Sequence, residues 1–423
     1  MVLKNRKLRH IIAVRNLLQI LIFTFFGSSA FAGYYSTLPK GVRAFEFRHI
    51  FTSDIGSLYN NKGVKEDIYF KENLNAEILA SLNTATQVYF EELKALSPEA
   101  HDAFSFGEYQ AEGSANVDVQ VVGGGIGITD KLTAYFGFPI FDAEVNLDIR
   151  RTQGNNHAQV ASILERDAGD SDTGRILGQL TGQLPDATGE LLQGVMVNMY
   201  GYKPVGSWKA KGMGDTEIGL MYRIAEWDYS GLMMVGGINL PTGREDDPDI
   251  IQDFGFGDGQ TDIFAEFGGG FVIPRYYFGF DSFIRYTYQL PTEKNLRIPD
   301  TPGIPIGLSK GEFTEKLGNK VDFNLQGSFF PNDWLTVFGG YIYSHQGQSK
   351  YSSDNAYAND ALALDTMIET HTLLGGLEFS TVNLFKRGKF WAPLSISPSV
   401  QRIVRGINSP SYTRYNLKFR LFF

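Results

Sequence analysis

The chain contains no cysteine, which excludes a disulfide framework, a thiolate nucleophile and every cysteine-ligated metal. It has only 4 tryptophans, 8 methionines and 6 histidines in 423 residues. His10 falls in the leader described below, and His49, His345 and His371 are scattered without ligand spacing. No Ser-His-acid order stands out, and no strand-to-helix context follows any Gly-x-Gly run. The residues therefore point to no enzyme, cofactor or metal centre. A long hydrophobic run is missing too: nothing beyond residue 32 could cross a bilayer as a helix of roughly 20 residues. Positive charge is also scarce, with a formal net charge of −9. Losing the basic leader residues would take it to about −14, which argues against nucleic acid as a partner.

What is present is glycine and two kinds of aromatic residue: 47 Gly, 33 Phe and 21 Tyr. That mixture suits tilted, closely packed strands in a closed sheet. At the N-terminus Lys4, Arg6, Lys7, Arg9 and Arg15 precede an apolar run, Leu17–Phe26, and then Ala30-Phe31-Ala32. This is the pattern of a signal peptide over residues 1–32, cleaved after Ala32. Export without disulfides suits a bacterial envelope.

Period-2 alternation and turn signals predict about twelve strands, near 42–54, 115–128, 131–150, 215–226, 230–241, 260–273, 276–291, 319–330, 334–347, 364–381, 390–404 and 410–423. Fourteen is the alternative count. Short turns at 129–131, 226–228, 273–276, 331–333 and 385–389 alternate with longer connectors at 55–114, 151–214, 242–259, 292–318 and 348–363. This rhythm predicts an all-β, antiparallel up-and-down transmembrane β-barrel, with short periplasmic turns and long extracellular loops. Residues 33–423 read as one barrel domain in the outer membrane. The long loops 55–114 and 151–214 carry short helical periodicity, for example Leu74, Ile78, Leu82, Leu93 and Leu96 before Pro98. A lid or constriction over the mouth is the expected role, with a structural cap and a partner contact as alternatives.

Alternation also assigns faces. In 260–273, Ile263, Ala265, Phe267 and Phe271 oppose Asp262, Glu266, Gly268 and Gly270. In the last strand Thr413, Tyr415, Leu417, Phe419, Leu421 and Phe423 oppose Arg414, Asn416, Lys418 and Arg420. A membrane barrel is dry outside and wet inside. The charged residues expected to line the lumen are therefore Glu46, Arg48, Asp118, Glu144, Asp148, Glu217, Arg223, Asp262, Glu266, Asp281, Arg285, Asp322, Arg414, Lys418 and Arg420. Around Pro139 the apolar set shifts phase through Phe136, Phe138 and Ile140, so a bulge is expected there, with a Phe cluster lining part of the lumen as the alternative. Asp215 and Asp258, beside glycines, read as turn carboxylates accepting backbone N–H bonds. "DDPD" (246–249) reads as a solvated acidic loop, with a Ca²⁺ site as the lesser alternative.

"KGMGDTEIGLMYRI" (211–224), "INLPTGRED" (238–246), "FGFGDGQTDIFAEFGGGF" (254–271) and "IGITDKL" (126–132) resemble the repeated pattern of the outer-membrane proteins associated with the meta-pathway of phenol degradation. The resemblance covers residues 115–291 best. It implies a channel or transporter-like barrel that admits small organic, often aromatic or hydrophobic, solutes. The fatty-acid transporter barrels are a more distant likeness. The terminal Phe423 closing an amphipathic strand resembles the signal read by the outer-membrane assembly machinery. Expected partners are thus that machinery, outer-membrane lipid and lipopolysaccharide, and a small organic solute. The alternative function is a structural or interaction barrel whose long loops bind a partner without conducting.

Overall fold

The computed structural model describes residues 35–80, 84–186, 188–300 and 306–423; the expected leader lies outside them. Twelve strands form one closed antiparallel ladder. In chain order they are β1 (Arg43–Thr52), β2 (Ser105–Thr129), β3 (Leu132–Gln153), β4 (Thr216–Trp227), β5 (Ser230–Leu240), β6 (Asp262–Ile273), β7 (Phe278–Gln289), β8 (Lys320–Asn332), β9 (Leu335–Gln346), β10 (Ile368–Ser380), β11 (Leu394–Ile407) and β12 (Thr413–Phe422). Each strand pairs with the next, and β12 pairs back onto β1 in the register Glu46↔Arg420 and Phe51↔Tyr415. The chain end completes the seam: Arg43 N–H donates to Phe423 O at 2.7 Å, and Phe423 N–H to Arg43 O at 2.9 Å. Closure follows from the solvent, because lipid cannot satisfy the bare N–H and C=O groups of a sheet edge.

The outward faces make an apolar band. Ile218, Leu220, Ile263, Phe267, Ile284, Leu325, Leu373 and Leu417 are all exposed on it. At the end with short turns the band is bordered by Trp227, Tyr229, Tyr276, Tyr277, Trp334 and Trp391, and at the other end by Tyr286, Tyr288, Tyr341, Tyr343 and Tyr415. Such paired girdles mark the two interfaces of a membrane.

β2 and β3 run 25 and 22 residues, well past the roughly 9–11 that a tilted strand needs to cross. Their pairing is continuous from Ile126↔Ala134 to Tyr109↔Arg151, passing Val121↔Pro139 without interruption. The bulge expected at Pro139 is absent. What changes there is the environment: below this point the outward residues are Phe136, Phe138 and Ile140, and above it they are Asp142, Glu144 and Asn146. Pro139 sits where β3 changes neighbour, between its pairing with β4 up to Gly137 and with Trp208–Met213 from Ile140. Its missing N–H therefore breaks no ladder.

The protruding hairpin carries a helical lobe. Helices α1 (Thr84–Leu96) and α2 (Pro98–Ala103) come from the first long loop, and α3 (His157–Ala168) and α4 (Asp172–Gly182) from the second. Ser97 caps α2 by accepting from Ala100 N–H, and Ser171 caps α4 by accepting from Gly174 N–H. Phe90, Leu93, Phe104, Val160 and Leu164 form a core within the lobe.

Candidate functional site in the barrel lumen

Inward residues of the strands meet in two halves of different character. One half is charged and hydrogen-bonded. Glu46 is fully buried between Arg420, whose Nη2 lies 2.6 Å from Oε2, and Arg48, whose Nη2 lies 2.8 Å from Oε1. Arg285 donates through Nε to Glu266 at 2.7 Å and through Nη1 to Glu217 at 3.0 Å, and stacks 4.2 Å above the Phe264 ring. Tyr135 donates its hydroxyl to Glu217 at 2.8 Å. Gly219 makes room for that ring, since a Cβ there would fall 2.6 Å from it. Removing one partner from such a buried cluster strands the other charge, at a cost of about 3–5 kcal/mol.

The other half is apolar. Val117, Val119 and Val121 of β2 point inward with Phe141, Ala143 and Val145 of β3, and join Met221, Met233 and Val235 of β4 and β5. Phe254 and Phe256, from the connector between β5 and β6, turn into this cluster and are almost completely buried. Phe256 stacks on Phe141 at 5.1 Å, Phe254 tilts against Trp208 at 5.3 Å, and the Arg244 guanidinium covers both Trp208 and Phe256. The turn is held by Asp215, whose Oδ1 accepts from Gly243 N–H at 2.9 Å and Oδ2 from Asp258 N–H at 3.3 Å. Glycine is required at 257, because a Cβ would sit 2.3 Å from Asp215 Oδ1.

Further out, Arg297 ties the extracellular connectors together. It donates to the carbonyls of Tyr200 at 2.6 Å and Gly201 at 2.9 Å, pairs with Asp249 at 2.5 Å, and stacks on Tyr202 at 4.2 Å. Lys310 also meets Asp249, and Lys203 meets Asp247. The acidic loop is thus cross-linked rather than solvated. No group of three or more potential metal ligands occurs among the described residues.

A cavity of about 80 Å³ in the lumen is lined mostly by polar side chains, among them Arg48, Asp281, Asn324, Gln326, Gln401 and Lys418, with Phe283, Phe338, Ile342 and Leu374 as its apolar members. That is well below the roughly 300–1,000 Å³ of a ligand pocket, so a solute could enter this cavity only if its side chains move. The cavity lining comes from the strands, not from the helical lobe. The connector bearing Phe254 and Phe256 packs into the inward apolar cluster beside it.

Of the sequence-expected lumen residues, Glu46, Arg48, Glu217, Arg223, Asp262, Glu266, Asp281, Arg285, Asp322, Arg414, Lys418 and Arg420 lie on inward faces. Arg223 does so at the short-turn rim, bonded to Asp130 O and Glu226. Asp118, Glu144 and Asp148 do not. Asp118 faces outward, 3.8 Å from His49, while Glu144 pairs with Lys209 and Asp148 is exposed on the protruding hairpin. At and above the membrane surface water lies outside the sheet, so polar side chains turn out and apolar ones turn in. Phe254 and Phe256 were hidden in a stretch that reads as glycine turns. The available signal was two aromatics at i and i+2 inside a connector.

The closed ladder, apolar band, girdles and charged interior define a transmembrane β-barrel of the bacterial outer membrane. Across 92% of this chain and 98% of the other, at 14% identity and a TM-score of 0.50, its fold is similar to the crystal structure of the COG4313 outer membrane channel from Pseudomonas putida F1. Looser likenesses include the transport unit of the autotransporter AIDA-I from Escherichia coli (8% identity, 99% and 98% covered, TM-score 0.40). The Ralstonia pickettii toluene transporter TbuX is another (10% identity, 91% and 90% covered, TM-score 0.35). No protein-family model and no curated protein matches the chain.

Proposed function

We propose that the protein is an outer-membrane channel for passive uptake of small organic solutes that are largely apolar, hydrophobic or aromatic. The observation that carries this reading is the divided lumen, with a wall of Val, Phe, Met and Ala facing a wall of paired charges. A general hydrophilic pore keeps a wet path from mouth to mouth. Here Phe254 and Phe256 stand at the outer end of a dry one. The fold likeness to a solved outer membrane channel supports the same reading. The barrel works without catalysis, as a selective path. Residues 1–32 direct export and are removed, and the outer-membrane assembly machinery receives the chain through its terminal Phe423. The inward charges, from Glu46 to Arg420, set which solutes the polar wall tolerates.

The test is uptake into proteoliposomes of a small aromatic hydrocarbon and, separately, of a sugar of similar size. Faster uptake of the hydrocarbon, increased by a Phe254→Ser, Phe256→Ser double substitution, supports the proposal. Equal uptake of both solutes, or none of either in both proteins, overturns it.

A further inference from the structure

The lipid-facing wall is largely apolar, and near the upper end of β11 it carries two arginines. There Arg402 and Arg405 are exposed, on the same outward face as Val400. Arg402 pairs in register with Leu373 and Thr413, and Arg405 with His371, all outward residues. The register shifts between His371 and Thr372, where one strand gains a residue. A bulge of this kind re-aims side chains, and it brings the second guanidinium onto the face of the first. Neither arginine has a hydrogen bond or ion pair among the described residues. The neighbouring carboxylate, Glu369, is engaged by His371 Nε2 at 3.0 Å and Tyr343 OH at 3.1 Å.

Depth places the pair. At about 3.3 Å per residue and a tilt of about 40°, with the bulged residue adding no rise, Arg402 stands roughly 20 Å and Arg405 roughly 25 Å above Leu394. Leu394 begins β11 close to the girdle residue Trp391. The apolar band of such barrels is about 25 Å tall. The two guanidinia therefore reach the outer headgroup level, with exposed Leu373, Val400 and Tyr415 beneath them. An unpaired arginine on a lipid-facing wall is costly unless an anion of the membrane itself meets it, and guanidinium matches phosphate bidentately.

We propose that Arg402 and Arg405 bind the phosphate of a phosphorylated, multiply acylated lipid of the outer leaflet, of the lipid A type. The acyl chains lie along Val400, Leu373 and Tyr415. The site rests on the outer-membrane placement and not on the transported solute, so solute uptake and conductance are untouched by its loss.

The experiment uses the full chain in detergent and native mass spectrometry. The probes are diphosphoryl lipid A, dephosphorylated lipid A, phosphatidylglycerol and inorganic phosphate. Wild-type protein should retain diphosphoryl lipid A at least about five-fold more than R402Q/R405Q does, with R402K/R405K in between. It should likewise prefer diphosphoryl to dephosphorylated lipid A and to phosphatidylglycerol, an arm that needs no variant. Folding of each variant is checked by its heat-dependent gel mobility. Equal retention by wild type and R402Q/R405Q, indifference to the lipid phosphates, equal binding of phosphatidylglycerol, or full displacement by millimolar inorganic phosphate would each overturn the assignment.

Discussion

Arg285 on β7 bonds Glu217 on β4 across two intervening strands, Nη1 to Oε2 at 3.0 Å. Three strand spacings amount to about 14 Å along a sheet, so the contact exists only because the wall curves and inward side chains converge. Loss of this chord in E217A should widen the lumen and deprive Arg285 of one of its two carboxylate partners. We expect a several-fold rise in single-channel conductance and a barrel destabilised by about 3 kcal/mol. Planar-bilayer recording and thermal unfolding measure the two effects.

Phe254 and Phe256 pack on each other and on Phe141, and under the proposed function they close the apolar route from outside. Replacing either by alanine removes about 3–5 kcal/mol of buried packing, most of it local to the connector. Hydrocarbon uptake should rise while the melting temperature of the barrel changes little. Uptake lower than wild type would show that the rings guide the solute rather than block it.

Arg297 holds three extracellular connectors through Tyr200 O, Gly201 O, Gly307 O and Asp249. R297A should free them together, and trypsin should then cut at Lys203 or Lys310 many times faster than in wild type. R297K, which keeps the charge but not the fork, should rescue only part of the protection.

Acid should loosen the helical lobe before the barrel. Burial against Phe104 and Phe106, at ring distances of 5.4 and 4.5 Å, holds His157 below the ordinary histidine range. Asp167 is lowered by Arg166 and Ser97, and Asp186 by Arg151 and Asn155. For each group the folded lobe binds its proton more weakly than the unfolded chain does. Its stabilisation is complete above the unfolded value and is lost as pH falls through the folded one. Loss should begin below about pH 6.5 with His157 and continue below about pH 4 with the carboxylates. Hydrogen exchange over 157–168 follows it, and H157F should remove the upper step.

Phe423 closes the seam through its backbone, while its ring is exposed at the rim. Deleting it should lower the yield of heat-modifiable barrel in membranes, with conductance of the assembled fraction unchanged. Normal assembly of the truncated chain would show that the ring carries no recognition signal.

The fold was readable wherever one environment covers the whole strand. Ile263, Ala265 and Phe267 face lipid and Asp262 and Glu266 face inward along all of β6, so alternation names both faces. β2 and β3 pass from membrane into water, and the meaning of the alternation reverses partway along them. That reversal misplaced Asp118, Glu144 and Asp148 and made Pro139 look like a bulge. The apolar inward cluster is illegible for the same reason, because Val117, Val119 and Val121 alternate with polar residues in the pattern that lipid-facing side chains also show. Cross-lumen pairing such as Arg285 with Glu217 depends on curvature, which no local pattern encodes.

The helical lobe imposes an order on folding. α1 and α2 precede β2 in the chain, and α3 and α4 follow β3, yet Phe90 and Phe104 share one core with Val160 and Leu164. That core joins segments separated by the whole β2–β3 hairpin, and the pairing of Tyr109 with Arg151 brings their ends together. Closing such a loop without the hairpin carries the full entropic cost of long-range contact. The lobe therefore matures last, once the hairpin has zipped.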